Sequence, residues 1–137
     1  MPSFPRPLPQ VEGDAAPFWQ AIAAGRIEIQ RCGSCAKWIF YPRPFCPSCL
    51  SRDVAWHAVP PTGRVYTCSV VHKPTNPWFF GRTPYVYAIV ELENGVRLPT
   101  QIVGCDPETV EIGAAVEAVF ERVDDTALLR VEVEEAG

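Results

Sequence analysis

The feature that most constrains this chain is a set of two cysteine pairs separated by ten residues. Cys32 and Cys35 form the first pair, and Cys46 and Cys49 form the second. Two intervening residues let both thiolates of a pair face one ion, because the short turn between them folds back sharply. Four thiolates complete the closed tetrahedral shell of a structural zinc ion. The spacing therefore predicts a zinc cofactor held in a rubredoxin-like ribbon of two knuckles.

Disulfide bonds and a single redox-active iron are the alternatives for these thiols. The first nine residues contain four prolines and lack the apolar stretch of a signal peptide. We therefore expect a cytoplasmic protein, and in that reducing compartment disulfides are disfavoured. Iron stays open as a rubredoxin-like electron-transfer alternative. Cys68 and Cys105 lack paired spacing, and we expect them to be buried small apolar residues.

The N-terminal quarter predicts an extended arm and one short helix. Prolines at nearly alternate positions exclude a helix before residue 13. A helix is then expected from Ala15 to Ala24, with Asp14 as its N-cap and Gly25 as its stop.

Phe18, Trp19 and Ile22 give this helix an apolar stripe. Burial in the core is the ordinary role of such a stripe, and docking of a partner protein by Phe18 and Trp19 is the alternative.

Apolar and polar residues alternate over 26–31, and the pattern from Arg64 onward is typical of β-strands, so a mainly β chain is predicted beyond the helix. Arg26 to Arg31 and 54–59 are expected to be the strands that flank the knuckles. Asn94-Gly95 is a strong signal for a tight hairpin. Five further strands with short turns favour a closed OB-fold barrel, and they are expected at 64–72, 85–91, 97–103, 115–123 and 127–134. We predict an arm and helix over 1–25, a zinc ribbon over 26–60 and an OB-fold over 61–137.

A catalytic site is not evident in the sequence. The two histidines, His57 and His72, have no serine or cysteine motif beside them. The net charge of −4 and the pI of about 5.1 disfavour a nucleic-acid binder. No apolar run approaches the ~20 residues that cross a bilayer, so we expect no membrane association. These features indicate a binding or scaffold protein.

A proline-rich loop over residues 73–84 places Trp78, Phe79 and Phe80 side by side. Exposed aromatic clusters are costly unless a partner or ligand covers them, so these rings are candidates for partner docking. The alternative is a loop that folds back onto the mouth of the barrel. Cationic groups nearby suit the phosphate oxygens of a ligand, and the candidates are Arg64, His72, Lys73 and Arg82.

Linked motifs along residues 14–125 resemble one known family. The motifs are Pro17-Phe18-Trp19, the block from Tyr41 to Cys49, Gly63-Arg64-Val65-Tyr66-Thr67 and Pro84-Tyr85-Val86. They resemble the zinc-ribbon plus OB-fold proteins associated with acyl-CoA, formerly a domain of unknown function. Members often end in a Phe-Arg-Pro-like segment, whereas Leu129-Arg130-Val131-Glu132 stands here.

The resemblance implies a non-catalytic accessory subunit of a hetero-oligomer. Its partner would be a thiolase-like enzyme or retro-aldolase acting on acyl-CoA thioesters, including those of steroid side-chain degradation. The barrel would help to hold the acyl-CoA, and the ribbon and helix would dock the partner. A hot-dog-fold enoyl-CoA hydratase is the alternative partner. Single-stranded nucleic-acid binding by the OB-fold is the alternative of another class.

Overall fold

The computed structural model describes residues 5–134. Within that range the chain forms one short α-helix followed by a small sheet and a barrel. The predicted N-terminal arm lies partly outside the described residues, and residues 5–12 have no regular secondary structure. The elements are α1 (Ala16–Ala23), β1 (Ile27–Cys32), β2 (Trp38–Ile39), β3 (Val54–Val59), β4 (Thr62–Val71), β5 (Tyr85–Leu92), β6 (Arg97–Val103), β7 (Ala115–Val123) and β8 (Thr126–Val133).

The helix α1 begins later than predicted, and the N-cap assigned to Asp14 is wrong. Gly13 has a φ of 64° and starts a 3-10 turn over Gly13–Ala15, which takes up Asp14. Ala15 occupies the N-cap position and makes no capping hydrogen bond through its side chain. The end of the helix is as expected, since Gly25 adopts a φ of 79°. A glycine in this left-handed conformation is a common helix stop.

The ribbon is built on a three-stranded antiparallel sheet with β1 in the centre. β3 has the predicted bounds. β2 is the two-residue strand between the knuckles, and it pairs with β1 through Gln30 opposite Ile39. This arrangement brings both cysteine pairs to one end of the sheet.

The five remaining strands close into a barrel in the order β4-β5-β6-β8-β7, with β7 pairing back onto β4. β6 and β8 run parallel, and the other pairs are antiparallel. This is the five-stranded OB-fold that the sequence predicted. β4 begins at Thr62, two residues before the predicted start at residue 64, and so includes Thr62 and Gly63. Gly63 suits this strand because a Cβ there would meet the carbonyl oxygen of Glu91 on β5.

One continuous hydrophobic core joins the helix, the ribbon sheet and the barrel. Ile22 of α1 is fully buried, and Ile27 and Ile29 of β1 are nearly so. They share the core with Val65, Val90 and other barrel residues. Arg122 of β7 also donates a hydrogen bond to the Ala23 carbonyl at 2.8 Å, at the C-terminal end of α1. The helix therefore ties the ribbon to the barrel. No helix within residues 5–134 is long and apolar enough to cross a membrane.

Candidate metal centre and ligand surface

The two cysteine pairs form knuckles with matching backbone geometry. The amide of Ala36 donates to the Cys32 carbonyl at 3.0 Å, and the amide of Leu50 donates to the Cys46 carbonyl at 2.9 Å. Ala36 and Leu50 follow the second cysteine of each pair and have φ values of 65° and 63°. Each turn therefore reverses in the same way and aims its two sulfurs to one side.

The four sulfurs lie together at one point between the knuckles, within 4.8 Å of one another. The Sγ atoms of Cys32 and Cys49 are 3.5 Å apart, and those of Cys35 and Cys46 are 3.6 Å apart. Tetrahedral zinc–thiolate bonds place sulfurs about 3.8 Å apart, so the cluster fits zinc. A disulfide needs a separation of about 2 Å, and none of the six cysteines forms one.

The knuckle backbone also sets the acidity of the thiols. The N–H groups of Cys35 and Ser34 donate to the Cys32 sulfur, which lowers the pKa of Cys32 to about 6. The Ser51 N–H favours the thiolate of Cys49, but the neighbouring sulfurs, with Cys32 foremost, raise the pKa of Cys49 to about 11. Four clustered sulfurs cannot all ionise cheaply without a cation, so this donor set requires a metal to reach its four-thiolate form.

A buried amide fixes the segment between the knuckles. Gln30 of β1 is only 5 % exposed. Its Nε2 donates to the Arg43 carbonyl at 2.9 Å, and its Oε1 accepts from the Arg43 amide at 2.7 Å. Because Pro42 and Pro44 carry no N–H, the Arg43 amide is the only backbone donor within residues 42–44. The second knuckle is thereby held against β1.

The aromatic side chains predicted to dock a partner differ in exposure. Phe18 is 3 % exposed and packs in the core, so it offers no surface to a partner. Trp19 is half-buried against the same core. In the proline-rich loop, the ring of Phe79 stacks on Tyr85 with 4.9 Å between centroids. Phe80 is 60 % exposed.

Trp78 of this loop lies against two guanidinium groups. Those of Arg6 and Arg82 are 4.6 Å and 4.0 Å from its ring centroid. Trp78 is therefore covered by cations of the arm and of its own loop, and the loop contacts the barrel through the stacking of Phe79 on Tyr85 of β5.

The four cations proposed to hold phosphate do not converge. Arg64 lies near the start of β4, whereas His72 and Lys73 follow its end, about 25 Å away along an extended strand. The Arg64 guanidinium donates to the Gly113 carbonyl at 3.1 Å. His72 lies 3.7 Å from Glu108. Arg82 lines a different cavity from Arg64. One ligand group cannot contact all four.

Sequence reasoning missed several residues that the structure places at the surface of these sites. Tyr41, Phe45 and Leu50 are exposed apolar side chains around the second knuckle, and Leu50 is 69 % exposed. Their position beside the knuckle cysteines was a usable signal. Arg6 and Arg130 join Arg82 around one cavity, and no local pattern connects these three positions.

The other two cysteines of the chain, Cys68 and Cys105, lie outside the ribbon. Cys68 is half-buried against the core, in line with its predicted role. Cys105 is exposed, so the prediction of burial is wrong for it. It follows Gly104, which has a φ of 78° and comes directly after β6.

A rubredoxin-like zinc ribbon joined to an OB-fold barrel defines the class of this protein. The model of the ChsH2 rubredoxin-like zinc ribbon domain matches residues 19–55, and the model of the ChsH2 C-terminal OB-fold domain matches residues 56–121. A DUF35 domain-containing scaffold protein of Methanocaldococcus jannaschii is 44 % identical over 96 residues, which are 69 % of this chain and 67 % of that protein. The chain therefore belongs to the ChsH2 (DUF35) family.

Two further similarities come from enzyme complexes. A chain in a solved structure of the Ltp2-ChsH2(DUF35) aldolase is 35 % identical with a TM-score of 0.83, and the match covers 92 % of this chain and 98 % of that one. A probable enoyl-CoA hydratase alpha subunit of Thermomonospora curvata is 42 % identical over 117 residues, or 84 % of this chain. This chain spans 35 % of the length of that subunit.

Proposed function

We propose that this protein is a non-catalytic accessory subunit of a thiolase-like or aldolase enzyme complex that acts on acyl-CoA thioesters. The observation that carries the proposal is the similarity to a chain of the Ltp2-ChsH2(DUF35) aldolase over nearly the full length of that chain. A four-sulfur zinc shell leaves no open position for a substrate, so the metal centre has a structural role. The reacting groups would lie on the partner.

Partner docking is assigned to the exposed apolar side chains on the ribbon and the loop. Apolar side chains exposed to water are unfavourable, and their burial beneath a partner favours association. Leu50 and Phe80 are 69 % and 60 % exposed. Phe18 is buried, so we do not include it among the docking residues; it packs the helix against the core.

Co-expression with a thiolase-like protein from the same organism tests the proposal. A tagged chain should co-purify with that protein at fixed stoichiometry, and the pair should cleave or condense an acyl-CoA that neither processes alone. Phe80→Ser should weaken the assembly at least about tenfold. Ile112→Ser is the matched control, since Ile112 is 69 % exposed on the barrel. A chain that stays monomeric and leaves the partner's activity unchanged would refute the proposal.

The second candidate is a subunit of an enoyl-CoA hydratase complex. It rests on the 42 % identity to the hydratase alpha subunit of Thermomonospora curvata. The same co-purification with a hot-dog-fold protein in place of the thiolase-like protein separates the two. Hydration of an enoyl-CoA by that pair, without carbon–carbon bond cleavage, would select the hydratase.

A further inference from the structure

An arginine-rich cavity of about 400 Å³ lies on the outer wall of the barrel. Its floor is formed by neighbouring residues of three strands. Arg130 of β8 pairs with Gln101 of β6 on one side and with Val119 of β7 on the other. Leu129 and Val131, on either side of Arg130, are buried in the core. Since successive side chains of a strand point to opposite faces, Arg130 projects outward into this cavity.

The N-terminal arm and the proline-rich loop close over this floor. Arg6 comes from the arm, and Trp78 and Arg82 come from the loop. The Trp78 ring holds the guanidinium groups of both arginines within 4.6 Å of its centroid. Cation–π contacts of this kind hold two like charges close together. Three arginines from distant parts of the sequence therefore border one space.

The positive charge in this cavity exceeds its negative charge. Glu121 is the carboxylate among the lining residues, and both of its oxygens accept from Arg6 at 2.9 Å. Arg130 lies 3.6 Å from the same carboxylate. Three guanidinium groups against one carboxylate give an excess of two positive charges in a chain whose net charge is −4. Burial lowers the pKa of Arg130; the neighbouring Glu121 opposes this shift, and Arg6 adds a smaller lowering.

The cavity beside Arg64 shows the opposite balance. It is lined by one arginine and by Glu91, Glu93 and Glu134, so it would repel an anion. The excess of positive charge is thus a property of the cavity around Trp78 and not of barrel clefts in general. Among residues 5–134, Arg82 donates a side-chain hydrogen bond only from Nε, to the Trp78 carbonyl at 2.9 Å. This leaves its terminal nitrogens for a ligand.

We propose that Arg6, Arg82 and Arg130 form a binding site for phosphate groups, with Trp78 holding two of them in place. Guanidinium groups present forked donors that match phosphate oxygens, and a phosphate or diphosphate would offset the two excess charges. The phosphates are those of inorganic pyrophosphate or of a nucleotide carried by a thioester substrate. The site does not depend on the proposed enzyme partner, because all of its residues belong to this chain.

Isothermal titration of the full chain with inorganic pyrophosphate, and separately with coenzyme A, tests the site. We expect saturable binding that weakens with added salt. Arg82→Gln should weaken it about tenfold or more. Glu121→Gln should strengthen it several-fold, because a negative charge leaves the site. A mutation that merely disturbed the fold would not tighten binding.

Arg97→Gln is the matched control. Arg97 also covers an aromatic ring, that of Tyr66 at 3.8 Å, and pairs with Glu91 at 3.0 Å, but it lies outside this cavity. Its replacement should leave pyrophosphate binding unchanged. If coenzyme A binds more tightly than pyrophosphate and is displaced by it, the phosphates come from a nucleotide; if pyrophosphate alone binds, they come from a free ligand. Absence of saturable binding, or equal losses in Arg82→Gln and Arg97→Gln, would overturn the site while leaving the co-purification result untouched.

Discussion

Replacement of Gln30 tests how the ribbon is held together around its metal. The side-chain amide makes two hydrogen bonds to the backbone of Arg43, at 2.9 Å and 2.7 Å. Gln30→Leu keeps most of the side-chain volume but removes both. Each such bond contributes about 0.5–1.5 kcal/mol net, so the loss is about 1–3 kcal/mol. The added apolar surface cannot offset this, since the Arg43 amide and carbonyl would face a leucine.

The loss should be visible as a lower midpoint of urea unfolding at a fixed excess of free zinc. Zinc must be held constant because a ligand that binds the folded state shifts its apparent stability. A loss of about 2 kcal/mol corresponds to roughly 8 °C in the melting temperature of a chain of this size. Zinc should also pass faster to a competing chelator, because the turn that precedes Cys46 is no longer anchored.

Two variants isolate the hydrogen bonds from other effects of the substitution. Gln30→Glu keeps the shape and the acceptor but replaces the donor to Arg43 with an oxygen, so it should lose at least as much stability as Gln30→Leu. Gln20→Leu makes the same chemical change at an exposed position of α1, and it should stay within about 0.5 kcal/mol of wild type. If Gln30→Leu also stays within that range, the amide does not hold the knuckle.

Two shorter predictions concern the barrel and the metal. Gly63→Ala should lower the free energy of unfolding in urea by about 1–3 kcal/mol, because the new Cβ would meet the rigid β5 backbone. Gly33→Ala should lower it less, because there the Cβ meets the exposed, movable side chain of Asp53. Equal losses of stability in the two variants would contradict this. Zinc must displace the proton of Cys49, whose pKa is raised to about 11. Zinc affinity measured by chelator competition should therefore fall about tenfold or more per pH unit below pH 8. An affinity that does not change with pH would exclude Cys49 as a ligand.

The parts of the fold that were predictable carry local signals. β3, β6 and β7 have the predicted bounds because turn residues, such as Asn94-Gly95 before β6 and Asp124-Asp125 after β7, flank these segments. Zinc was predictable because the ligands come in pairs with a fixed two-residue gap. Asp14 failed as a cap because Gly13, with its positive φ, set a different local turn. Backbone preferences of a single neighbour can override a capping pattern.

The arginine cavity had no such local signal. Arg6 and Glu121 are 115 positions apart in sequence, yet Nη2 of Arg6 donates hydrogen bonds to both carboxylate oxygens of Glu121. Arg130 reaches the same place only because β8 runs between β6 and β7. Nearness along the chain predicts one cation cluster that includes Arg64 and Arg82, but the folded barrel places them at different cavities. Closure of the barrel, which is a long-range property, decides which charges meet.

The positions of the metal and of the arginine cavity lead to a division of roles within the chain. The zinc shell is closed by four sulfurs and lies at the far end of the ribbon sheet, so the metal acts by holding that sheet in shape. The sheet and α1 share one core with the barrel, and α1 packs against β8. β8 presents Leu129 to that core and Arg130 to the cavity. Loss of zinc should therefore reach the cavity only indirectly, through this shared core and the packing of α1 on β8, and it should weaken pyrophosphate binding less than Arg82→Gln does.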